Sequence, residues 1–495
     1  MGFLSLPQIR PGPGDRPDWL SPTIAWVLTI ASGVIIGLQY WDPNPRIIPV
    51  AVALLVFGIA WRLDMVAALS LLVFLLPYPK GTVFGNTNLA FIMLVFVIWL
   101  LRVSLRMSPP ARWGPVAAPI GMMFLWYILS FYNIRTEVAL QNGLLNFALF
   151  AACVMMYFLI INSVHTQRDL QRLHQAQLVT AFFVFVIAAL EARSAGKVII
   201  PGLIDFTGTL GHDFNTRDVR VGASFRDYEL LSEFCGISFV MVLFMWARAK
   251  STTARALLGL FALFNIYTMF TTVTRGIIFA LGLTLPYLFF TIRRRLNAVK
   301  FMTAVFAIVV LIVGMNFLVA KFTNSGDLFL RLSETKVVHG LVPEARAEPW
   351  TNALNRALVH PILGQGPYYD HMWGFLDVWP HNVYLYIANL IGFPGLAFYL
   401  MLLFGLARIL KPTVDDLNHA SYADAYLVVA RTQLFLFMFN ELKIDFLRNG
   451  IYVFQVFLWF GTWTAAYLVS RDHGVRAGKF LSAPVSPPPA QSQAA

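Results

Sequence analysis

Fourteen runs of this chain are apolar over roughly the length, about 20 residues, that an α-helix needs to cross a hydrocarbon layer. They lie at 23–40, 46–61, 64–78, 88–105, 115–132, 143–162, 175–191, 229–247, 256–273, 276–292, 301–320, 382–407, 425–440 and 450–470. The second and third meet at Trp61-Arg62-Leu63-Asp64 and read as two short spans, a hairpin or one re-entrant element, so 12–14 spans are expected. A soluble fold is excluded. Only 13% of the 495 residues are charged, against about 25% in a globular domain. The expected fold class is an all-α polytopic membrane protein.

Lys and Arg set the orientation, because short loops rich in them stay cytoplasmic. With the amino terminus inside, the inner loops and termini hold Arg10, Arg16, Arg62, Arg102, Arg106, Arg112, Arg168, Arg172, Arg248, Lys250, Arg255, Arg293, Arg294, Arg295, Lys300, Arg408, Lys411, Arg471, Arg476 and Lys479. The short outer turns hold only Arg46, Lys80, Arg135, Lys443 and Arg448. This asymmetry predicts both termini in the cytoplasm, and it accounts for part of the net charge of +12 without a nucleic-acid partner. Residues 1–22 contain no apolar core followed by a cleavage site, so no removable signal peptide is expected. Residues 471–495, ending in a Pro, Ala and Ser-rich stretch, read as a disordered cytoplasmic tail.

Two outer loops stand out by length, 192–228 and 321–381, the second being the large periplasmic loop between the spans of 23–320 and those of 382–470. Long ordered loops usually carry function. Each keeps five basic residues. Cys153 and Cys235 both fall inside expected spans, so no disulfide framework is implied. Within the large loop, Pro349 is expected to open a short helix whose Trp350, Leu354, Ala357 and Leu358 share a face and which ends near His360-Pro361. That helix lies on the membrane surface or packs over a cavity between spans. Gly364 and Gly366 in HPILGQGPYY then make a turn where backbone can approach a neighbour or ligand closely.

Three stretches carry a resemblance. Thr274-Arg275-Gly276 before IIFALGL is similar to a Ser-Arg-Gly at the outer end of a span. Asn355-Arg356-Ala357-Leu358-Val359-His360-Pro361-Ile362-Leu363-Gly364-Gln365-Gly366-Pro367 is similar to a His-Pro-Leu-Leu-Gly-x-Gly segment. Pro380-His381-Asn382-Val383-Tyr384-Leu385, with Gly392-Phe393-Pro394-Gly395 after it, is similar to His-Asn-x-Tyr-Leu and Gly-x-x-Gly. In this order and topology they resemble the O-antigen ligase and O-antigen polymerase superfamily of bacterial envelope glycosyltransferases, over residues 270–405. GASFRDYELLSEF resembles the family's Gly-x-Phe segment more loosely. The resemblance implies a GT-C-like membrane fold with short helices in its periplasmic loop, an inner-membrane location and a polyprenyl-diphosphate-linked glycan as donor. A glycan, lipid or protein acceptor is equally compatible with these motifs, which do not separate polymerases from ligases. Membrane lipids are the other expected partners; no soluble cofactor is implied.

The chemistry of such a transfer can be set against these residues. Charge grows on the diphosphate as the sugar bond breaks, and a guanidinium offers a fork of donors that matches phosphate oxygens at any pH. Arg275 is the first candidate for that role and Arg226 the second. The alternatives are an interfacial arginine that snorkels to headgroups for Arg275, and a loop charge paired with Asp227 or Glu229 for Arg226. Arg356 either meets substrate phosphate or faces water. The acceptor hydroxyl must lose a proton, a task that suits histidine near neutrality. His381, at a loop-to-span junction beside Asn382, is the candidate base, with Asn382 to orient it or contact substrate. His212, His339, His360 and His371 lack that setting.

Paired carboxylates that hold a divalent ion are a common alternative, but Asp415-Asp416 falls on the cytoplasmic side. No zinc spacing, P-loop or Ser-centred elbow is present in the sequence. A metal-independent transfer that inverts the anomeric carbon is therefore expected. The rival from another class is a transporter or flippase of lipid-linked saccharides, which would place ionisable residues near the membrane midplane. Only Glu233 and Arg431 are clear cases. A scaffold role leaves the outer Arg and His residues unexplained.

Overall fold

A computed structural model describes residues 64–78, 81–82, 85–194, 199–200, 204–205, 220–292, 313–323, 327–333, 337–338, 342–367, 380–411, 420–448 and 450–481, with a few single positions before residue 64 and at 310. Its helices are α1 Met65–Leu75, α2 Thr87–Ser104, α3 Ala117–Ser130, α4 Glu137–Ser163, α5 Gln167–Arg193, α6 Tyr228–Arg248, α7 Thr252–Thr271, α8 Arg275–Ile292, α9 Val313–Phe322, α10 Leu328–Ser333, α11 Glu344–Val359, α12 Val383–Ile409, α13 Tyr422–Asn440 and α14 Tyr452–Leu481. The chain is an all-α multi-pass membrane protein. Among the described residues, seven helices are long and apolar enough to cross a membrane, namely α2, α4, α5, α6, α7, α12 and the Tyr452–Asp472 part of α14. Three two-residue antiparallel ladders, Gly81–Thr82 with Gly85–Asn86, Ile199–Ile200 with Ile204–Asp205 and Val337–Val338 with Val342–Pro343, sit in connections.

Helix starts follow local chemistry. In a membrane protein the first N–H groups of a helix need acceptors that water supplies elsewhere, and short polar side chains provide them. Thr136 caps α4, Thr166 and Asp169 form a capping box on α5, and Asp227, Ser251, Asn382 and Ser421 cap α6, α7, α12 and α13. The centre of the bundle is α14, which packs on α4, α13, α12 and α5, while α6 packs on α7 and α13, α3 on α12 and α8 on α13.

The expected spans from 64–78 onward correspond to described helices, that at 301–320 only in its last part; those at 23–40 and 46–61 lie outside the described residues. Two details differ. α14 runs on as helix to Leu481, into the stretch expected to be a tail. The loop helix α11 begins at Glu344, and Pro349 lies inside it. A proline in the second turn removes one bond, Pro349 N to Ala345 O, and is tolerated where packing holds the helix. Its buried face is Ala353 and Ala357, whereas Leu354 and Leu358 are 44% and 58% exposed. Small residues let α11 lie close on α12, and the larger apolar ones point away from the bundle.

One end of the bundle collects the turns before α6, α8, α12 and α14. The opposite end collects residues expected in the cytoplasm. There Arg112 donates to the carbonyls of Ile161 (2.7 Å) and Val164 (3.1 Å) and pairs with Asp472 at 3.3 Å, and Arg248 meets the carbonyl of Ala420 at 3.4 Å.

Candidate active site

His381 lies at the junction between loop and α12, in the left-handed region at φ 46°. A non-glycine residue there is uncommon and is held by its surroundings. Two contacts hold it. The Trp350 indole N–H on α11 donates to the carbonyl of Pro380 at 2.8 Å, and His381 Nδ1 meets Glu229 Oε2 at 2.9 Å. Glu229 stands in the first turn of α6, is 8% exposed, and its other oxygen, Oε1, accepts from Arg346 Nη2 at 3.1 Å. A carboxylate on Nδ1 leaves Nε2 as the ring nitrogen that can take a proton.

Asn382, expected to orient His381 or meet substrate, is committed elsewhere. Its Oδ1 accepts from the backbone of Tyr384 (3.0 Å) and Leu385 (3.1 Å), capping α12, and its Nδ2 donates to Leu442 O at 3.2 Å. The orienting contact comes from Glu229 instead. Neither Glu229 nor Arg346 stood out in the sequence. The available signal was an acidic residue, Glu229, in the first turn of an otherwise apolar span.

Arg226 follows the 3₁₀ turn Ala223–Phe225 in the left-handed region at φ 55° and is exposed. That turn hangs from α5, because Glu191 Oε2 accepts from Ala223 N at 2.7 Å. Arg275, half-buried, opens α8 two residues after Val273, which has φ 50°; for a β-branched residue that value is an outlier. The two arginine turns are joined. Val221 N donates to Thr271 O at 3.2 Å, Arg220 Nε to Thr272 O at 3.4 Å and Thr274 Oγ1 to the carbonyl of Tyr228 at 3.4 Å. The turn at 441–444 joins α12 to the same assembly, since Val383 N donates to Glu441 O and Ile444 O, both at 3.1 Å. Below it, Glu233 ties three helices, with Oε2 accepting from Asn440 Nδ2 at 2.7 Å and Oε1 from the Tyr452 hydroxyl at 3.0 Å. Glu233 is thus part of a strut between spans.

Arg356 stands ten residues beyond Arg346 on α11, about 15 Å by helical rise. It is half-buried, and burial lowers its pKa from the ordinary arginine value. The segment that follows has a structural partner. α12 is broken at Ile391 and Gly392, the latter at φ 76° and ψ 177°, and the loop fills the gap. Gln365 N donates to Asn389 O at 2.8 Å, Gly366 N to Leu390 O at 3.1 Å, and Phe393 N to Pro361 O at 2.8 Å. A Cβ on Gly364 would collide with the backbone of Leu390, and one on Gly392 with that of Ile362. From the other side, Trp126 Nε1 donates to Ile362 O (2.9 Å), Asn133 Nδ2 to Gly364 O (2.6 Å) and Asn146 Nδ2 to Pro367 O (3.1 Å). The close approach expected at Gly364 is therefore to a neighbouring helix.

An apolar cleft of about 580 Å³ opens beside Asn382, between Trp350 and Leu354 of α11 and Tyr384, Leu385 and Leu442. Among the described residues, no three His, Cys, Asp or Glu side chains converge in a way that could hold a metal ion.

The family model described as O-antigen ligase matches residues 258–400, from α7 through the break in α12. Over this segment, less than a third of the chain, the protein is similar to the O-antigen ligase family. The matched segment contains Arg275, Arg346, Arg356, His381 and Asn382; Arg226 and Glu229 lie before it, so the candidate site joins the matched segment to an earlier helix of the same chain. No curated protein matches the chain.

Proposed function

We propose that this protein is a glycosyltransferase of the inner membrane that moves a polyprenyl-diphosphate-linked glycan onto an acceptor hydroxyl at the periplasmic face. The observation that carries this reading is the His381–Glu229 pair, 2.9 Å apart, at the end of the bundle where the Arg226 and Arg275 turns are tied together. The acceptor hydroxyl attacks the anomeric carbon and gives its proton to His381 Nε2. Glu229, a positioning residue, fixes the ring and stabilises the imidazolium that forms. The bond from the anomeric carbon to the phosphate oxygen breaks, its electrons stay on the diphosphate, and Arg275 and Arg226 meet the growing charge. Direct displacement inverts the anomeric carbon. Arg346 holds the second oxygen of Glu229, so the large loop takes part in shaping the base. Asn382 serves the site through its cap, and Arg356 is assigned to the glycan side of the loop helix.

The test is a reconstituted transfer with polyprenyl-diphosphate-linked oligosaccharide, following released lipid diphosphate and product size for the wild type, Arg275→Ala and His381→Ala. Laddered chains lost in both variants mark a polymerase, and a single transfer to a supplied acceptor marks a ligase. Passage of intact donor across the liposome membrane, with no glycosidic bond made or broken, would replace this reading with a transporter.

A further inference from the structure

The turn that closes α13 carries a lysine whose position the transfer chemistry above does not use. Lys443 N donates to Asn440 O at 2.8 Å and closes the turn after α13. A Cβ built on Gly276 would lie 3.6 Å from Lys443 Cδ, so the lysine stem runs alongside the residue that follows Arg275. Its Nζ sits 4.6 Å from the centre of the Phe279 ring, one turn further along α8, and Phe279 is 59% exposed. The ammonium thus hangs at the open edge of the Arg275 turn, over a ring on the outside of the bundle.

We propose that Lys443 is a further ligand of the donor diphosphate, forming with Arg275 a two-pronged cradle for the headgroup of a polyprenyl diphosphate. This rests on the transferase reading above. Burial and then the nearby Arg275 lower the pKa of Lys443 from its ordinary value. Two like charges held side by side oppose each other, and an anion with charge on two phosphorus centres relieves that opposition better than a single carboxylate. The apolar surroundings select an amphiphile. Phe279 faces outward on one side of the turn, and Leu442, the residue before Lys443, lines the cleft of about 580 Å³ on the other. A free phosphate offers no apolar part for these surfaces.

The experiment uses the full chain in nanodiscs of zwitterionic lipid and measures binding of undecaprenyl diphosphate to the wild type, Lys443→Gln, Lys443→Met and Arg275→Gln. Lys443→Met keeps the apolar stem against Gly276 and Phe279 and so reports the charge alone if Lys443→Gln fails to fold. Loss of one charge-assisted phosphate contact is expected to weaken binding about tenfold or more in both lysine variants, with inorganic pyrophosphate competing at far higher concentration than the lipid. If either folded lysine variant binds undecaprenyl diphosphate as the wild type does while Arg275→Gln does not, the Lys443 assignment falls and the transferase reading stands. If Lys443 variants lose only retention of phosphatidylglycerol added to the disc, Lys443 is a bulk-lipid anchor and the assignment falls. If the wild type binds no undecaprenyl diphosphate and makes no glycosidic bond, both fall together.

Discussion

Glu229 and His381 are separated by 152 positions of chain, yet their side chains meet at 2.9 Å, with Arg346 on the far oxygen of the carboxylate at 3.1 Å. The pair predicts how catalysis should fail. His381→Ala removes the base and should lower kcat by about 10²–10⁴-fold. Glu229→Gln leaves the base in place and should cost less, on the order of tenfold or more in kcat, with the KM for donor unchanged. Its pH–rate profile should also shift. An unchanged kcat and an unaltered profile in Glu229→Gln would show that the carboxylate only braces the fold.

Arg275→Lys tests the guanidinium separately from its charge. A lysine is a point charge and cannot grip a phosphate with two parallel bonds, so donor KM should rise about tenfold or more even though the net charge is kept. Wild-type kinetics in Arg275→Lys would reduce Arg275 to a snorkelling interfacial residue.

The break in α12 gives a stability prediction. Gly392→Ala places a Cβ against the backbone of Ile362 at a positive φ, and overpacking and strain of this kind cost about 1–3 kcal/mol each. Thermal unfolding in detergent should show a clear drop in Tm for Gly392→Ala and Gly364→Ala, and almost none for Gly282→Ala, whose Cβ meets nothing within 4 Å.

Asn382 predicts a split between cap and strut. Asn382→Ala should cost about 1 kcal/mol as a lost N-cap. Asn382→Asp keeps an acceptor for Tyr384 and Leu385 but cannot donate to Leu442 O, so it should recover the cap contribution while loosening the 441–444 turn, read as faster amide exchange at Lys443 and Ile444. Exchange at Lys443 and Ile444 in Asn382→Asp unchanged from the wild type would remove Asn382 from the link to that turn.

Transfer should persist after exhaustive chelation. The donor set offered by Arg275, Arg226 and Lys443 is cationic, and phosphate charge can be met by guanidinium and ammonium groups alone. Activity lost in chelator and restored by a divalent ion would overturn this expectation.

Many of the expected spans could be read from apolar length because the bilayer sets one requirement for every helix, and α2, α6 and α8 start within one residue of the expected limits. The packing face of α11 could not. Leu354 and Leu358 look like the residues to bury, but the face of α11 that is buried carries the small residues Ala353 and Ala357. His381 was legible through its loop-to-span setting and its motif. Its partner was not, since Glu229 reads locally as an acidic residue favourable to a helix start, and only the tertiary fold brings α6 beside α12. The HPILGQGP segment was legible as a close-approach turn, but the identity of the neighbour depended on a break at Gly392 whose own sequence, IGFPG, reads equally well as a simple kink.

That interrupted helix has a consequence for how the protein is made. Carbonyls of Asn389 and Leu390 and the N–H of Phe393 take their partners from residues 361–366, and in hydrocarbon each such group left alone costs several kcal/mol. If α12 entered the bilayer by itself it would carry its own vacancies with it. The loop residues precede α12 in the chain, so they are synthesised first, and the partners that the broken helix needs exist before the helix itself leaves the ribosome.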